Sequence, residues 1–126
     1  MDVADGMGVK QIMDNIIERG DEGFKSVPMS LVLADNIGDI GFMMLAPIPN
    51  RRDKTPNLGN RVLDGTTTAY DWDRLVPVRD LPRGFNPTKG FFSTANNRVM
   101  PENSINDIGA NSPSTGRAQR IDEVLR

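Results

Sequence analysis

Leu31–Phe42 reads LVLADNIGDIGF, and this stretch decides what kind of fold the chain can make. Leu31–Ala34 is a short apolar run, Asn36-Ile37-Gly38-Asp39 is turn chemistry, and Ile40–Ala46 is a second apolar run. Two such runs on either side of an Asn/Gly/Asp turn predict an antiparallel hairpin. Asp35 stands where the first strand enters the turn. A carboxylate in that place usually accepts backbone N–H groups, and service as a catalytic acid is the rarer use. Met43 and Met44 on the return strand suit core filling, with an adaptable acyl pocket as the competing use.

Toward the amino terminus, Val9, Ile12, Met13, Ile16 and Ile17 recur at i, i+3, i+4, i+7 and i+8. That stripe predicts a packing helix over Gly8–Arg19, stopped by Gly20. Asp21–Ser30 reads as a loop, with Pro28 disfavouring helix at Val27.

On the other side of the hairpin, Pro47–Thr68 carries Pro47, Pro49, Pro56, Gly59 and Gly65 and reads as irregular. Its run Arg51-Arg52-Asp53-Lys54 reads as a solvated face. Tyr70–Trp72 holds the only Tyr and the only Trp, and Pro77, Pro82 and Pro87 then favour an extended path over a helix. Arg83–Pro87 reads as a turn leading into Gly90–Met100, GFFSTANNRVM, a predicted central strand. Met100–Ser114 is polar and turn-rich. Ile121, Val124 and Leu125 then form an apolar stripe on a helix through Arg126, with Ser112 or Ser114 as its N-cap. The expected class is α+β.

Composition removes several chemistries. The 126 residues contain no Cys and no His. Thiol nucleophiles, disulfide frameworks, the usual zinc sites and His-based triads are therefore excluded for this chain. Fifteen basic and 17 acidic residues are interspersed for a net charge of −2, which recommends neither nucleic acid nor an anionic membrane as partner. No run approaches the roughly 20 apolar residues of a membrane span. The acidic Met1–Gly8 start lacks the basic flank of a signal peptide.

What chemistry remains gathers at Asn96 and Asn97. A carboxamide offers two N–H donors and one acceptor without charge, so it can fix a turn or hold a donor toward developing negative oxygen. Residue types alone leave both uses open.

The motifs, taken in order, resemble the penicillin amidase family of N-terminal-nucleophile hydrolases. Ala34, Asp35, Gly38, Ile40, Gly41 and Phe42 match its Ala-Asp-x-x-Gly-x-Ile-Gly-aromatic hairpin. Ile48, Pro49 and Arg51 match its Ile-Pro-x-Arg step. Trp72, Pro77, Asn86, Pro87, Gly90 and Phe91 follow the family pattern, then Ala95-Asn96-Asn97, and finally Arg117, Arg120 and Ile121 at a helix start. Together these cover roughly Ser30–Arg126.

The resemblance implies part of an αββα sandwich with antiparallel strands, flanking helices and long loops, the whole chain 1–126 being one partial domain. It implies an acylase that cleaves C–N bonds of linear amides, such as β-lactam acyl side chains or acyl-homoserine lactones. In that scheme Asn96 donates to the oxyanion hole and Arg117 orders the active-site amides. Asp107 takes the place of a ligand to the structural calcium found in some members, the other calcium ligands having no clear match.

No cofactor is required for the chemistry. The implied partners are the remainder of the large chain, the small chain and an acyl amide substrate. The family's nucleophile, an amino-terminal Ser, has no counterpart after Met1-Asp2, so the expectation is an internal segment of the large chain, inactive alone. Such an enzyme would be soluble, and a secreted or periplasmic location would suit it. The competing expectation is a non-catalytic remnant that binds acyl ligands or partners, and the blandest is a truncated product unstable by itself.

Overall fold

A computed structural model of the chain describes residues 6–20, 28–45, 48–53, 55, 61–97 and 116–126. In order, the elements are α1 (Val9–Arg19), β1 (Met29–Ala34), β2 (Ile40–Leu45), β3 (Ile48–Arg51), β4 (Trp72–Val76), a 3-10 turn at Val78–Asp80, β5 (Arg83–Phe85) and α2 (Gly116–Leu125). The α+β class therefore stands, built from antiparallel sheets and two helices.

The hairpin forms as its pattern predicts. β1 pairs with β2 from Met29↔Leu45 to Ala34↔Ile40, and β2 pairs on its other edge with β5 through Phe42↔Gly84. β2 is thus the central strand of the sheet β1-β2-β5. Neighbouring side chains of a strand point to opposite faces, yet every residue from Gly41 to Leu45 is buried. Both faces of β2 must be covered. α1 covers one of them: a Cβ built at Gly41 would lie 2.6 Å from Val9 Cγ1 and 2.7 Å from Met13 Sδ. The opposite face carries Phe42, whose ring packs 5.7 Å from that of Phe92. Met43 and Met44 are both buried in the core cluster, so the core-filling reading holds for them.

α1 buries Val9, Met13 and Ile16 and ends at Gly20, whose left-handed backbone lets its N–H reach the Ile16 and Ile17 carbonyls. Its N-cap residue, Gly8, supplies no side-chain hydrogen bond. Asp35 supplies one instead from the hairpin. Its Oδ2 accepts the Val9 N–H at 3.0 Å, and its Oδ1 accepts the Ile37 and Asp39 N–H groups at 3.1 and 2.9 Å. One carboxylate therefore closes the turn and satisfies a donor that the first turn of a helix always leaves over. Above all the Val9 N–H holds the Asp35 carboxyl below the usual carboxylate range; partial desolvation opposes this, and the turn N–H groups add to it. Asp35 is structural, as its place beside a turn suggests.

Four sequence expectations need correction. Residues 91–97 are not a strand, because a turn closed by Gly90 N–H on Pro87 C=O (2.8 Å), with Gly90 at φ 78°, sends the chain across the sheet face. The third strand is β5, within the stretch read as a turn. Residues 47–68 are not wholly irregular: Ile48–Arg51 pairs with Trp72–Val76, with a bulge between Asn50 and Arg51. Pro49 is tolerated there because a two-stranded ribbon leaves one edge without ladder bonds. β1 also begins at Met29, within the predicted loop.

Candidate active site

The site rests on the face of the sheet that α1 leaves open. Phe92 anchors it: a Cβ at Gly84 would come within 2.8 Å of the Phe92 ring, so the absence of a side chain there lets the ring settle against Phe42. From this anchor Ser93-Thr94-Ala95 lead to Asn96, with Ala95 buried. The Ala95 N–H donates to Asn97 Oδ1 at 2.9 Å, which folds the Asn pair back on itself.

Asn96 adopts φ 59°, a left-handed conformation that costs most residues about 1–2 kcal/mol and that Asn tolerates best after Gly. The bend turns the Ala95 carbonyl and the Asn96 side chain toward α2. There one Arg117 nitrogen, Nη2, donates to Ala95 O at 3.2 Å and to Asn96 Oδ1 at 2.8 Å. A guanidinium carries donors only, so it fixes which end of the carboxamide faces it. The Asn96 Nδ2 group consequently points away from Arg117, and among the described residues it donates to no acceptor. Chemically, this is an uncharged donor held in one orientation by a permanent cation.

α2 meets the rest of the described chain through one other polar contact. Lys89 Nζ lies 3.1 Å from Asp122 Oδ1 and 4.3 Å from the centroid of the Phe91 ring. Asp122 also receives Arg126, the residue after α2, with Nη2 at 2.7 Å. Lys89 foremost, with Arg126, holds the Asp122 carboxyl below its usual range against partial desolvation. The apolar side chains of α2 contribute no buried anchor: Ile121, Val124 and Leu125 are 37%, 65% and 51% exposed.

Asn96 and Arg117, singled out from the sequence, are thus brought into direct contact across 21 positions. Asp107 lies outside the described residues. Among the described residues no group of three or more Asp or Glu side chains converges as a metal site. No helix among them is long and apolar enough to cross a membrane. Sequence reading missed Asn86, whose Oδ1 accepts the Ile40 N–H at 2.9 Å while its Nδ2 donates to Asp39 at 2.7 Å. The Asn86-Pro87 pair signals a turn but not that clamp. The Lys89–Asp122 pair, 33 positions apart, had no local signal either.

The penicillin amidase family model matches residues 18–126, which includes both Asn96 and Arg117. Penicillin acylase 2 proenzyme of Pseudomonas sp. (strain SE83) is 29% identical over 103 residues, covering 82% of this chain and 13% of that protein. Acyl-homoserine lactone acylase QuiP of Pseudomonas fluorescens (strain Pf0-1) is 28% identical over 100 residues, 79% of this chain and 12% of its own length. The same acylase from Pseudomonas syringae pv. tomato is also 28% identical. The chain spans about one eighth of these curated relatives. A family match over residues 18–126, a range that holds the hairpin, the Asn pair and α2, makes this chain a member of the penicillin amidase family.

Proposed function

We propose that this chain supplies the oxyanion-stabilising portion of an amidohydrolase that cleaves the C–N bond of N-acyl amides, of the kind named in its penicillin and acyl-homoserine lactone acylase relatives. The single observation that carries the reading is the half-used carboxamide of Asn96: its oxygen is held by Arg117 and its Nδ2 donor has no acceptor among the described residues.

In this reading residues 1–126 form one partial domain of an αββα sandwich completed by the rest of the large chain and the small chain. A Ser hydroxyl outside residues 1–126 attacks the amide carbonyl, with its own α-amino group taking the proton. Such an amine has a pKa of about 7.7–8.0, suited to that task near neutrality. Negative charge develops on the carbonyl oxygen as the tetrahedral intermediate forms, and Asn96 Nδ2–H donates to it. The α-ammonium gives the hydroxyl proton to the departing nitrogen as the C–N bond breaks, and expulsion of the amine leaves an acyl-enzyme. Water then attacks the ester through a second oxyanion that uses the same donor, releasing the carboxylic acid.

Arg117 does not touch the reacting atoms in this scheme. Its guanidinium engages the carboxamide oxygen, so the amide need not reorient as charge develops. Preorganisation of this sort is where such donors gain their effect.

The test is Asn96→Ala in the complete protein that carries this chain, assayed by release of carboxylic acid from N-acyl amides. Turnover should fall about 10²–10³-fold, equivalent to roughly 2.7–4 kcal/mol, in a protein that still folds at a stability cost of about 1–2 kcal/mol for Ala in the left-handed backbone. Retained turnover rejects the role. Saturable acyl-ligand binding by a parent protein that turns over none of these amides would favour a binding module instead.

A further inference from the structure

We propose that Lys89 is a positioning residue: through Asp122 it holds α2 so that the Arg117 guanidinium stays on Asn96. The catalytic consequence rests on the acylase reading above, while the positioning itself stands on geometry.

Among the described residues, two polar contacts join α2 to the rest of the chain, Arg117 on Ala95 and Asn96, and Lys89 on Asp122. Its apolar side chains add no buried anchor. One contact would leave the helix free to swing about it. Asp122 comes five residues after Arg117, about 7.5 Å farther along the axis and well round the helix, so a contact there resists both tilt and roll.

Lys89 is prepared for this task. Its ammonium sits over the Phe91 ring, and the turn that carries it, Pro87–Gly90, leads directly into the segment ending at Asn96. The two struts therefore leave the same short stretch, residues 87–96, and land on the same helix. An exposed ion pair contributes little to global stability. Aim is another matter, because small displacements of an orienting group cost rate disproportionately.

The test compares Lys89→Met, Lys89→Arg and Arg117→Ala in the complete protein, reading kcat, KM, melting temperature and backbone hydrogen exchange. Lys89→Met should speed exchange in residues 116–125 and leave Val9–Arg19 and the melting temperature unchanged. It should also lower kcat up to about fivefold with KM unaltered. Lys89→Arg should restore both readouts. In an Arg117→Ala background Lys89→Met should lower kcat no further. Unchanged exchange in residues 116–125 would overturn the positioning, as would a kcat loss that persists in full without Arg117. A parent protein that turns over no acyl amide would defeat the acylase reading, and the exchange comparison would still decide the positioning.

Discussion

Asn86 and Asn96 are the two non-glycine residues with positive φ among the described residues, at 42° and 59°, and they use their side chains differently. Asn86 spends both ends of its carboxamide, accepting from Ile40 and donating to Asp39, and so locks the sheet beside the hairpin turn. Among the described residues, Asn96 spends only its oxygen, on Arg117. A saturated carboxamide stabilises a fold. One that is held at its acceptor and left open at its donor is equipped to meet a ligand. The same contrast extends to the backbone: the Asn86 N–H also donates to the Ile40 carbonyl at 3.0 Å, whereas α2 reaches Asn96 through a side chain alone.

The comparison can be broken in several places. Arg117→Ala frees the Asn96 oxygen, and turnover of the complete protein should drop about 10²-fold, with processing to the mature form impaired as well. A fully processed, fully active variant would mean that Asn96 needs no partner. At the other end, Gly41→Ala forces a methyl group against Val9 Cγ1, 2.6 Å away. The stiff Val side chain cannot swing clear without cost, so the loss in stability should be about 1–3 kcal/mol by denaturant unfolding. An unaltered midpoint would show that α1 sits looser on the sheet than its contacts indicate.

Asn86→Gly sharpens the contrast by keeping the left-handed backbone while deleting the clamp. Stability should fall by about 1 kcal/mol with turnover of the folded protein preserved; a large turnover loss would erase the distinction between the two asparagines. The smallest effect concerns acid. Because folding depresses the Asp35 pKa, its contribution is fully present above the unfolded value of about 3.9 and is lost as pH falls from there through the lower folded value. Asp35→Asn should therefore flatten the fall of stability below about pH 4. An unchanged acid slope would assign that loss to other carboxylates.

These two regions were not equally legible in the sequence. α1 and the hairpin could be read because their signals are local: an apolar stripe at helical spacing, and a turn between apolar runs. The segment after Gly90 misled because two aromatics and small residues look like a strand, while the feature that turns it across the sheet is the backbone of Gly90 itself. β3 was hidden by Pro49, and β5, only three residues long, by the turn chemistry around it. Asn96 and Arg117 carry no pattern that joins them over 21 positions. Only resemblance to a family brought them together on paper, and the left-handed bend at Asn96 does so in space.

The most direct test of the central claim is Asn96→Gly in the complete protein, measured as kcat on an N-acyl amide beside the melting temperature. Glycine keeps the φ 59° backbone and removes the whole carboxamide, the Nδ2 donor together with the Oδ1 that accepts from Arg117. kcat should fall by about 10²-fold or more while the melting temperature drops by no more than a few degrees. A kcat within a few-fold of the parent would contradict it and return Asn96 to the structural role that Asn86 already fills.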